Sequence, residues 1–207
     1  MSLDADAKKV LLRKIPHGLF ICGVAEGDVV NGFTASWVPQ GSFEPPLVVM
    51  AVRADSTSNG MIQRSGKFSL NVLAADQKDL AAVFFKPQQG VGGRFEAAPY
   101  KLGEHGLPIL DDGLGGVECA VVGQLAHGDH TVFVGEVKSA VLHRDAAALE
   151  LSSTGWNYGG PLRPRRGQRW FGRTRSRCPA PSSGNSWFPA AAGGGALGGK
   201  HCCWCLG

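Results

Sequence analysis

The sequence predicts an antiparallel β-barrel, closed or partly closed, with short helices at its periphery, an all-β or α+β fold. The 207 residues include 30 glycines and only 8% aromatic residues, which indicates many turns and short strands. Six or more predicted strands follow one another through turns, without the strand–helix–strand rhythm or the G-x-G-x-x-G motif of a doubly wound sheet. With 43% hydrophobic and 18% charged residues the chain can bury a sizeable core, which excludes a disordered chain and a coiled coil.

The beginning of the chain predicts one helix followed by three strands. Residues 4–15 carry acids in the first turn and bases in the last, as a helix favours, and Pro16 ends that helix. The patterns of Leu19–Ala25 and Val29–Val38, separated by a Gly-Asp turn, predict a hairpin. The continuous apolar run Leu47–Val52 is typical of a central strand buried on both faces.

The next segment predicts two short helices around one strand. Hydroxyl and amide residues open a capped helix at Ser56–Gln63, and Gly66 follows its last turn. Alternating apolar and polar residues in Phe68–Leu73 predict a strand. Asp76 is a good N-cap for a second helix, in which apolar residues recur at i, i+3 and i+4.

The last part of the predicted domain combines a long loop with a second hairpin. Lys86–Leu110 is rich in Gly, Gln, Pro and charge, and its length suggests a mobile covering loop with a function. Val117–Leu125 and Thr131–Leu142 are predicted strands that meet at a Gly128-Asp129 turn. Leu149–Leu151 could form a last strand edge.

Charge and cysteine content divide the chain after residue 160. Residues 1–160 hold 13 basic and all 17 acidic residues, a net charge of −4, whereas residues 161–207 hold eight basic residues and no acid. The first part contains only Cys22 and Cys119, which we expect to be buried small hydrophobic residues of a reduced, cytoplasmic protein. No secretory signal pattern is visible, and the longest apolar stretch is far short of the ~20 residues that cross a bilayer, so we expect no membrane association.

We therefore expect residues 1–160 to form the folded domain and residues 161–207 to form a basic tail that contains glycine, proline and cysteine. Three interpretations of this tail stay open. A basic arm could bind nucleic acid or another acidic partner, and the terminal histidine and three cysteines could bind a metal, although paired C-x-x-C spacing is missing. The abrupt change in composition favours the third interpretation, a disordered frameshift or read-through product, so we assign no metal site and expect no nucleic-acid partner.

Three polar segments of the domain could carry a function. The first, residues 31–43, starts as a strand in which Thr34 and Ser36 point to the same face, and it bends at Pro39. Two hydroxyls beside backbone amides that the bend leaves free can bind the edge of a flat heterocycle with carbonyl and imide groups. The alternative is a solvated strand face, which this segment alone favours.

The second segment, residues 53–59, joins a buried strand to a short helix. The N–H groups at the start of the helix, the hydroxyls of Ser56 and Ser58 and the guanidinium of Arg53 together can hold a phosphate. The alternative is an ordinary helix cap beside a surface arginine.

The third segment is Gly128-Asp129-His130, where His130 enters a strand and could donate a hydrogen bond to a cofactor or substrate carbonyl. The alternative is a turn histidine that is satisfied locally. Residues 1–160 show no metal-ligand spacing and no nucleophile elbow, so metal catalysis and hydrolysis lack a starting point.

Five short segments, taken together, carry a family resemblance. They are Pro16-His17-Gly18, Asn31-Gly32-Phe33-Thr34-Ala35-Ser36, Ser42-Phe43-Glu44-Pro45-Pro46, Ser65-Gly66-Lys67-Phe68-Ser69-Leu70-Asn71-Val72-Leu73 and Gly128-Asp129-His130. No single segment is specific, but in this order and spacing they resemble the flavin reductase-like family of FMN-binding split barrels over about residues 9–160. Trp37 stands where the small-molecule flavin reductases usually have a second serine, so the Ala-Ser-Trp-Val sequence looks closer to flavoredoxin-like proteins and to the reductase domains fused to diiron flavoproteins.

The resemblance implies a Greek-key split barrel of about six strands, a homodimer and one flavin per subunit near the dimer interface. It implies hydride transfer from NADH or NADPH to FMN, or to FAD, with electrons passed on to free flavin or to a redox partner protein. A flavoredoxin-like FMN electron carrier without direct NAD(P)H activity is the alternative. The implied site residues are Thr34, Ala35, Ser36 and Trp37 at the isoalloxazine ring, Arg53, Ser56, Thr57 and Ser58 along the ribityl phosphate, His130 at the nicotinamide or flavin ring, and Phe84 and Phe85 at the border of the site.

Overall fold

The computed structural model describes residues 3–156, which form ten strands and four helices. The strands are β1 (Phe20–Glu26), β2 (Val29–Ala35), β3 (Gln40–Ser42), β4 (Leu47–Arg53), β5 (Lys67–Val72), β6 (Gln88–Gly90), β7 (Tyr100–Leu102), β8 (Pro108–Leu110), β9 (Gly115–His127) and β10 (His130–Leu142). The helices are α1 (Ala5–Leu12), α2 (Thr57–Ser65), α3 (Lys78–Val83) and α4 (Leu151–Thr154).

Eight strands make one antiparallel sheet in the order β3-β4-β10-β9-β5-β1-β2-β6, and β7 pairs with β8 in a separate hairpin. The segment that leaves β2 is also hydrogen-bonded to β4. The N–H of Ala51 donates to the carbonyl of Trp37 at 3.1 Å, and the N–H of Val49 donates to that of Pro39 at 2.9 Å. An antiparallel fold with a few short helices is confirmed. β4 pairs with β10 and β3, and it also bonds to the segment that follows β2, a strand near the opposite end of the sheet order.

Two hydrophobic clusters use opposite faces of β1, since side chains alternate along a strand. Cys22 and Val24 belong to a cluster with residues of β2, β4, β5, β9, β10 and α2, whereas Ile21 and Ala25 pack with residues of α3 and the β7–β8 region. Burial raises the pKa of the Cys22 thiol and raises that of Cys119 to about 12. Both cysteines are therefore buried small hydrophobic residues, as expected.

The structure from α2 to β5 agrees with the prediction from the sequence. Ser56 caps α2, because its Oγ accepts a hydrogen bond from the N–H of Asn59 at 3.2 Å. Gly66 ends the helix with a φ of 66°, a left-handed conformation that glycine adopts without strain, and β5 begins at the next residue. The predicted Gly-Asp turns of the β1–β2 and β9–β10 hairpins are confirmed as well.

Two strand predictions need correction. β2 ends at Ala35 instead of Val38, because the chain leaves β1 there and bonds to β4. β4 was expected to be buried on both faces, but Val49 and Ala51 are only half-buried while Met50 is fully buried. Met50 and Val52 point into a hydrophobic cluster, whereas Val49 and Ala51 alternate with them and point to the opposite face of the strand.

Three further predictions, about a helix cap, a loop and a last strand, also need correction. Asp76 does not cap α3, since the N-cap position is Gln77, whose Oε1 accepts from the N–H of Ala74 at 2.8 Å. The predicted loop 86–110 contains the short strands β6, β7 and β8. At 149–151 a single bridge joins Glu150 to Gly18, and α4 begins immediately afterwards.

The predictions for the tail at residues 161–207 lie outside the described residues. Within residues 3–156, no helix has both the length and the apolar character that a membrane span requires.

Candidate functional site

Three chain segments meet where β4 ends and β10 begins. Arg53 closes β4, His130 opens β10, and the two residues are paired across the strands. Trp37 joins them through the backbone hydrogen bond from Ala51. The rings of Trp37 and His130 lie 4.7 Å apart between centroids, with an angle of 37° between their planes. The structure therefore brings together one candidate residue from each of the three polar segments.

Trp37 gives this site an aromatic surface. The residue is 38% exposed, and the ring centroid of His17 lies 6.5 Å from that of the indole. Burial lowers the pKa of His17, which favours a neutral imidazole at neutral pH. A partly exposed indole held between two segments offers a face on which another planar ring can stack.

The junction between β4 and α2 carries a fixed positive charge. Nε and Nη2 of Arg53 donate to the two carboxylate oxygens of Asp55 at 3.0 and 2.6 Å. The hydrogen bond from Arg53 lowers the pKa of Asp55 below its usual value. The Oγ of Ser56 donates to the carbonyl of Arg53 at 2.9 Å, which ties the strand end to the helix cap. This arrangement can hold an anion next to the first turn of α2.

His130 is oriented by the residue that precedes it. Its Nδ1 lies 2.8 Å from Oδ1 of Asp129, and its side chain is 11% exposed. The hydrogen bond with His130 lowers the pKa of Asp129, so the partner stays a carboxylate at neutral pH. A carboxylate acceptor selects the form of the imidazole that carries a proton on Nδ1.

Three of the predicted site residues direct their side chains into the protein. The hydroxyl of Thr34 donates to the carbonyl of Ala81 at 2.7 Å. The Oγ of Ser58 accepts from Nδ2 of Asn31 at 3.1 Å, and Ser58 is 1% exposed. The ring of Phe84 is fully buried in the cluster that α3 covers. These side chains stabilise the segments around the site.

The other predicted residues vary in exposure. Ala35 is buried in the core, and Ser36 is half-buried between Ala35 and Trp37. Thr57 is exposed as the first residue of α2. The half-buried ring of Phe85 packs edge-on against Trp156 at 4.7 Å between centroids.

Asp55, Asp129 and His17 contact the site, although the sequence alone predicts no role for them. Asp55 stands two residues after Arg53 and carries the opposite charge, so this pair had a sequence signal. His17 was visible only as part of a short motif. Its distance of 20 residues from Trp37 gives no hint that the fold brings the two rings together.

The residues present fit a flat cofactor that carries a phosphate. Trp37 provides the aromatic surface, and His130 provides a polar ring at its edge. The bidentate contact of Arg53 with a carboxylate shows that this guanidinium can bind two oxygens of an anion at this position.

Comparisons with known proteins identify related sequences. The family model described as "Flavin reductase like domain" matches residues 12–157. The chain is 33% identical to Diflavin flavoprotein A 1 of Synechocystis sp. over 137 residues, which are 66% of this chain and 24% of that protein. It spans about a quarter of the length of the diflavin flavoproteins that it matches.

Two solved structures share the fold. BorF, the flavin reductase component of a bacterial two-component tryptophan halogenase, is 27% identical with a TM-score of 0.61, over 77% of this chain and 100% of that one. SgcE6, an NADH:FAD oxidoreductase of Streptomyces globisporus C-1027, is 26% identical with a TM-score of 0.62, over 74% of this chain and 94% of that one. Both likenesses agree with the antiparallel sheet described above.

Proposed function

Because the chain belongs to the flavin reductase-like domain family, we propose that it is an FMN-binding NAD(P)H:flavin oxidoreductase, with FAD as the second flavin to consider. One observation carries this proposal. Trp37, Arg53 and His130 come from distant segments and meet at one place in the fold. An indole, a guanidinium and an imidazole are suited to a flat ring, a phosphate and a polar ring edge, respectively.

We assign the flavin ring to the segment 34–37 and to His130. The side chains of Thr34 and Ala35 are buried, and the N–H of Thr34 donates to the carbonyl of Phe84 at 2.9 Å, so these two residues position the segment beside the ring. Ser36 and Trp37 offer a hydroxyl and an aromatic face. Phe85 borders the site, and Phe84 supports that border from the core.

We assign the flavin phosphate to Arg53 and the first turn of α2. Thr57 and Ser58 are the first two residues of this helix, and N–H groups at a helix start favour an anion. Ser56 keeps the strand end and the helix start together. Ser58 takes part through its backbone, because its hydroxyl is bonded to Asn31.

When bound, the flavin supplies the hydride-accepting chemistry. The residues of the chain bind and orient, and hydride transfer requires no general base among them. Arg53 puts a positive charge beside the site, which favours a ligand that gains negative charge on reduction. Asp129 keeps the His130 ring in a fixed orientation.

The 207-residue chain is expected to bind FMN and to oxidise NADH or NADPH when FMN is present. The measurement is an FMN titration of the purified protein by absorption, followed by steady-state NADH and NADPH oxidation with free FMN. A colourless protein that ignores added FMN would contradict the proposal.

The second candidate function is a flavoredoxin-like electron carrier, which binds FMN but does not take hydride from NAD(P)H. Trp37, which stands where the small-molecule flavin reductases usually have a second serine, supports this candidate. FMN binding without NAD(P)H oxidation, together with reduction by a chemical donor, would select this candidate.

We further propose that the protein is a cytoplasmic homodimer that passes electrons to free flavin or to a redox partner. The half-buried Val49 and Ala51 give β4 an apolar outer face beside Trp37, which supports an interface there. Sedimentation at several concentrations measures the oligomeric state.

We also propose that residues 1–160 suffice for flavin binding and that residues 161–207 do not take part. Deleting residues 161–207 is expected to leave the Kd for FMN unchanged, because every residue assigned to the flavin lies in the first part. Loss of FMN binding in a shortened chain that stays folded by circular dichroism would contradict this division.

A further inference from the structure

At the proposed flavin site, Arg53 forms a bidentate ion pair with Asp55, a side chain of the same chain. Arg53 donates from Nε and Nη2 to both oxygens of Asp55. This arrangement uses an edge of the guanidinium that can also bind two oxygens of a phosphate. Asp55 therefore occupies donors that a phosphate at this position would require.

Asp55 can leave this contact more easily than Arg53 can. Its side chain is 69% exposed and lies in the short connection before the cap of α2. Arg53 has a side chain that is 34% exposed, and its backbone is fixed by pairing with His130. An exposed ion pair is worth little in water, so a ligand that offers more charge can replace the carboxylate.

The charges around Arg53 also disfavour an added anion. Asp129 is a second carboxylate, and the positive charge of Arg53 contributes to lowering its pKa. Arg53, Asp55 and Asp129 together hold one positive and two negative charges. A phosphate therefore meets repulsion until one carboxylate moves away.

We propose that Asp55 is a built-in competitor for the flavin phosphate, which holds Arg53 in the ligand-free protein and releases it when a phosphorylated flavin binds. This inference rests on the proposed flavin function. It makes Asp55 a specificity-determining residue, since it weakens FMN binding but does not act on riboflavin, whose side chain ends in a neutral hydroxyl. Weaker FMN binding suits a protein that releases reduced flavin to an acceptor.

The opposite role for Asp55 makes the opposite prediction. If the carboxylate served to orient Arg53 toward the phosphate, its removal would weaken FMN binding. The sign of the change in FMN affinity therefore separates competition from orientation.

The test compares the Kd values of FMN and riboflavin, measured by flavin fluorescence at one ionic strength, in the 207-residue protein and two variants. Asp55→Asn removes the competing charge, and Asp112→Asn removes the same charge in the exposed turn before β9. That turn is at the far end of a 13-residue strand from His130, a length of about 40 Å. We expect Asp55→Asn to bind FMN about two- to fivefold more tightly, with riboflavin unchanged, and Asp112→Asn to change neither.

An FMN affinity that stays the same or falls in Asp55→Asn overturns the inference, as does a gain that riboflavin or Asp112→Asn shares equally. Asp55→Ala must give the same tighter FMN binding, because it removes the carboxylate without adding an amide donor. A wild-type protein that binds neither flavin refutes the proposed function and this inference with it. If the wild type binds flavin and Asp55→Asn has the same preference for FMN over riboflavin as the wild type, the inference is refuted but the proposed function is not.

Discussion

Replacing Arg53 with methionine is expected to weaken FMN binding by about 2 kcal/mol, roughly thirtyfold, while riboflavin binding changes little. The guanidinium is the fixed cation at the proposed phosphate position, and hydrogen bonds to a charged partner are worth more than neutral ones. Methionine keeps much of the length of the side chain but removes the charge and all five donors. The measurement is a pair of fluorescence titrations, one with FMN and one with riboflavin.

Arg64→Met is the matched control for this variant. Arg64 makes the same kind of bidentate contact, to Glu26 at 2.7 and 2.8 Å, but it lies in the last turn of α2. Its loss is expected to leave both Kd values unchanged. Equal loss of FMN affinity in the two variants, or loss of riboflavin binding in Arg53→Met, would show that Arg53 does not act on the phosphate.

Replacing Glu118 with alanine is expected to lower the free energy of unfolding by about 3 kcal/mol. This carboxylate on β9 is 1% exposed and accepts hydrogen bonds from the N–H groups of His105 and Leu107 and from the hydroxyl of Ser139, at 2.7 to 3.2 Å. Alanine leaves these donors without their acceptor and opens a cavity. The Tm is therefore expected to fall by about 10 °C, whereas Glu104→Ala in the exposed turn of the β7–β8 hairpin leaves it unchanged.

The contribution of Glu118 also depends on pH. Burial raises the pKa of this carboxyl, but the hydrogen bonds from Ser139, Leu107 and His105 outweigh it and hold the pKa below the ordinary value of 4.5. A pKa lowered by folding stabilises the protein above 4.5 and loses that effect as the pH falls through the lowered value. The stability difference between wild type and Glu118→Gln is therefore expected to shrink below pH 4.5 in denaturant titrations. A difference that stays constant across this range would contradict the assignment.

Much of the fold could be predicted because local chemistry and final structure agree. Ser56 and Gly66 mark the ends of α2, and two Gly-Asp turns set two hairpins. The errors arise where contacts between distant segments determine the end of a strand or the burial of a side chain. The end of β2 depends on hydrogen bonds to β4, and the burial of Val49 depends on which face of β4 the hydrophobic cluster covers. No local pattern contains either fact.

The candidate site could be predicted as three separate polar segments but not as a geometry. The pairing of Arg53 with His130 follows from the register of β4 and β10, which the sequence of neither strand specifies alone. Residue types likewise did not reveal that the hydroxyls of Thr34 and Ser58 form hydrogen bonds inside the protein. A hydroxyl in a predicted site segment can bind a ligand or stabilise the backbone, and only the packed structure distinguishes the two.

A crystal structure of the 207-residue chain soaked with FMN would locate the flavin. We expect the isoalloxazine ring beside Trp37 and His130, with the phosphate within hydrogen-bond distance of Arg53 and the first turn of α2. FMN bound at another surface, or a site that stays empty at saturating FMN while Trp37, Arg53 and His130 keep their positions, would contradict this expectation.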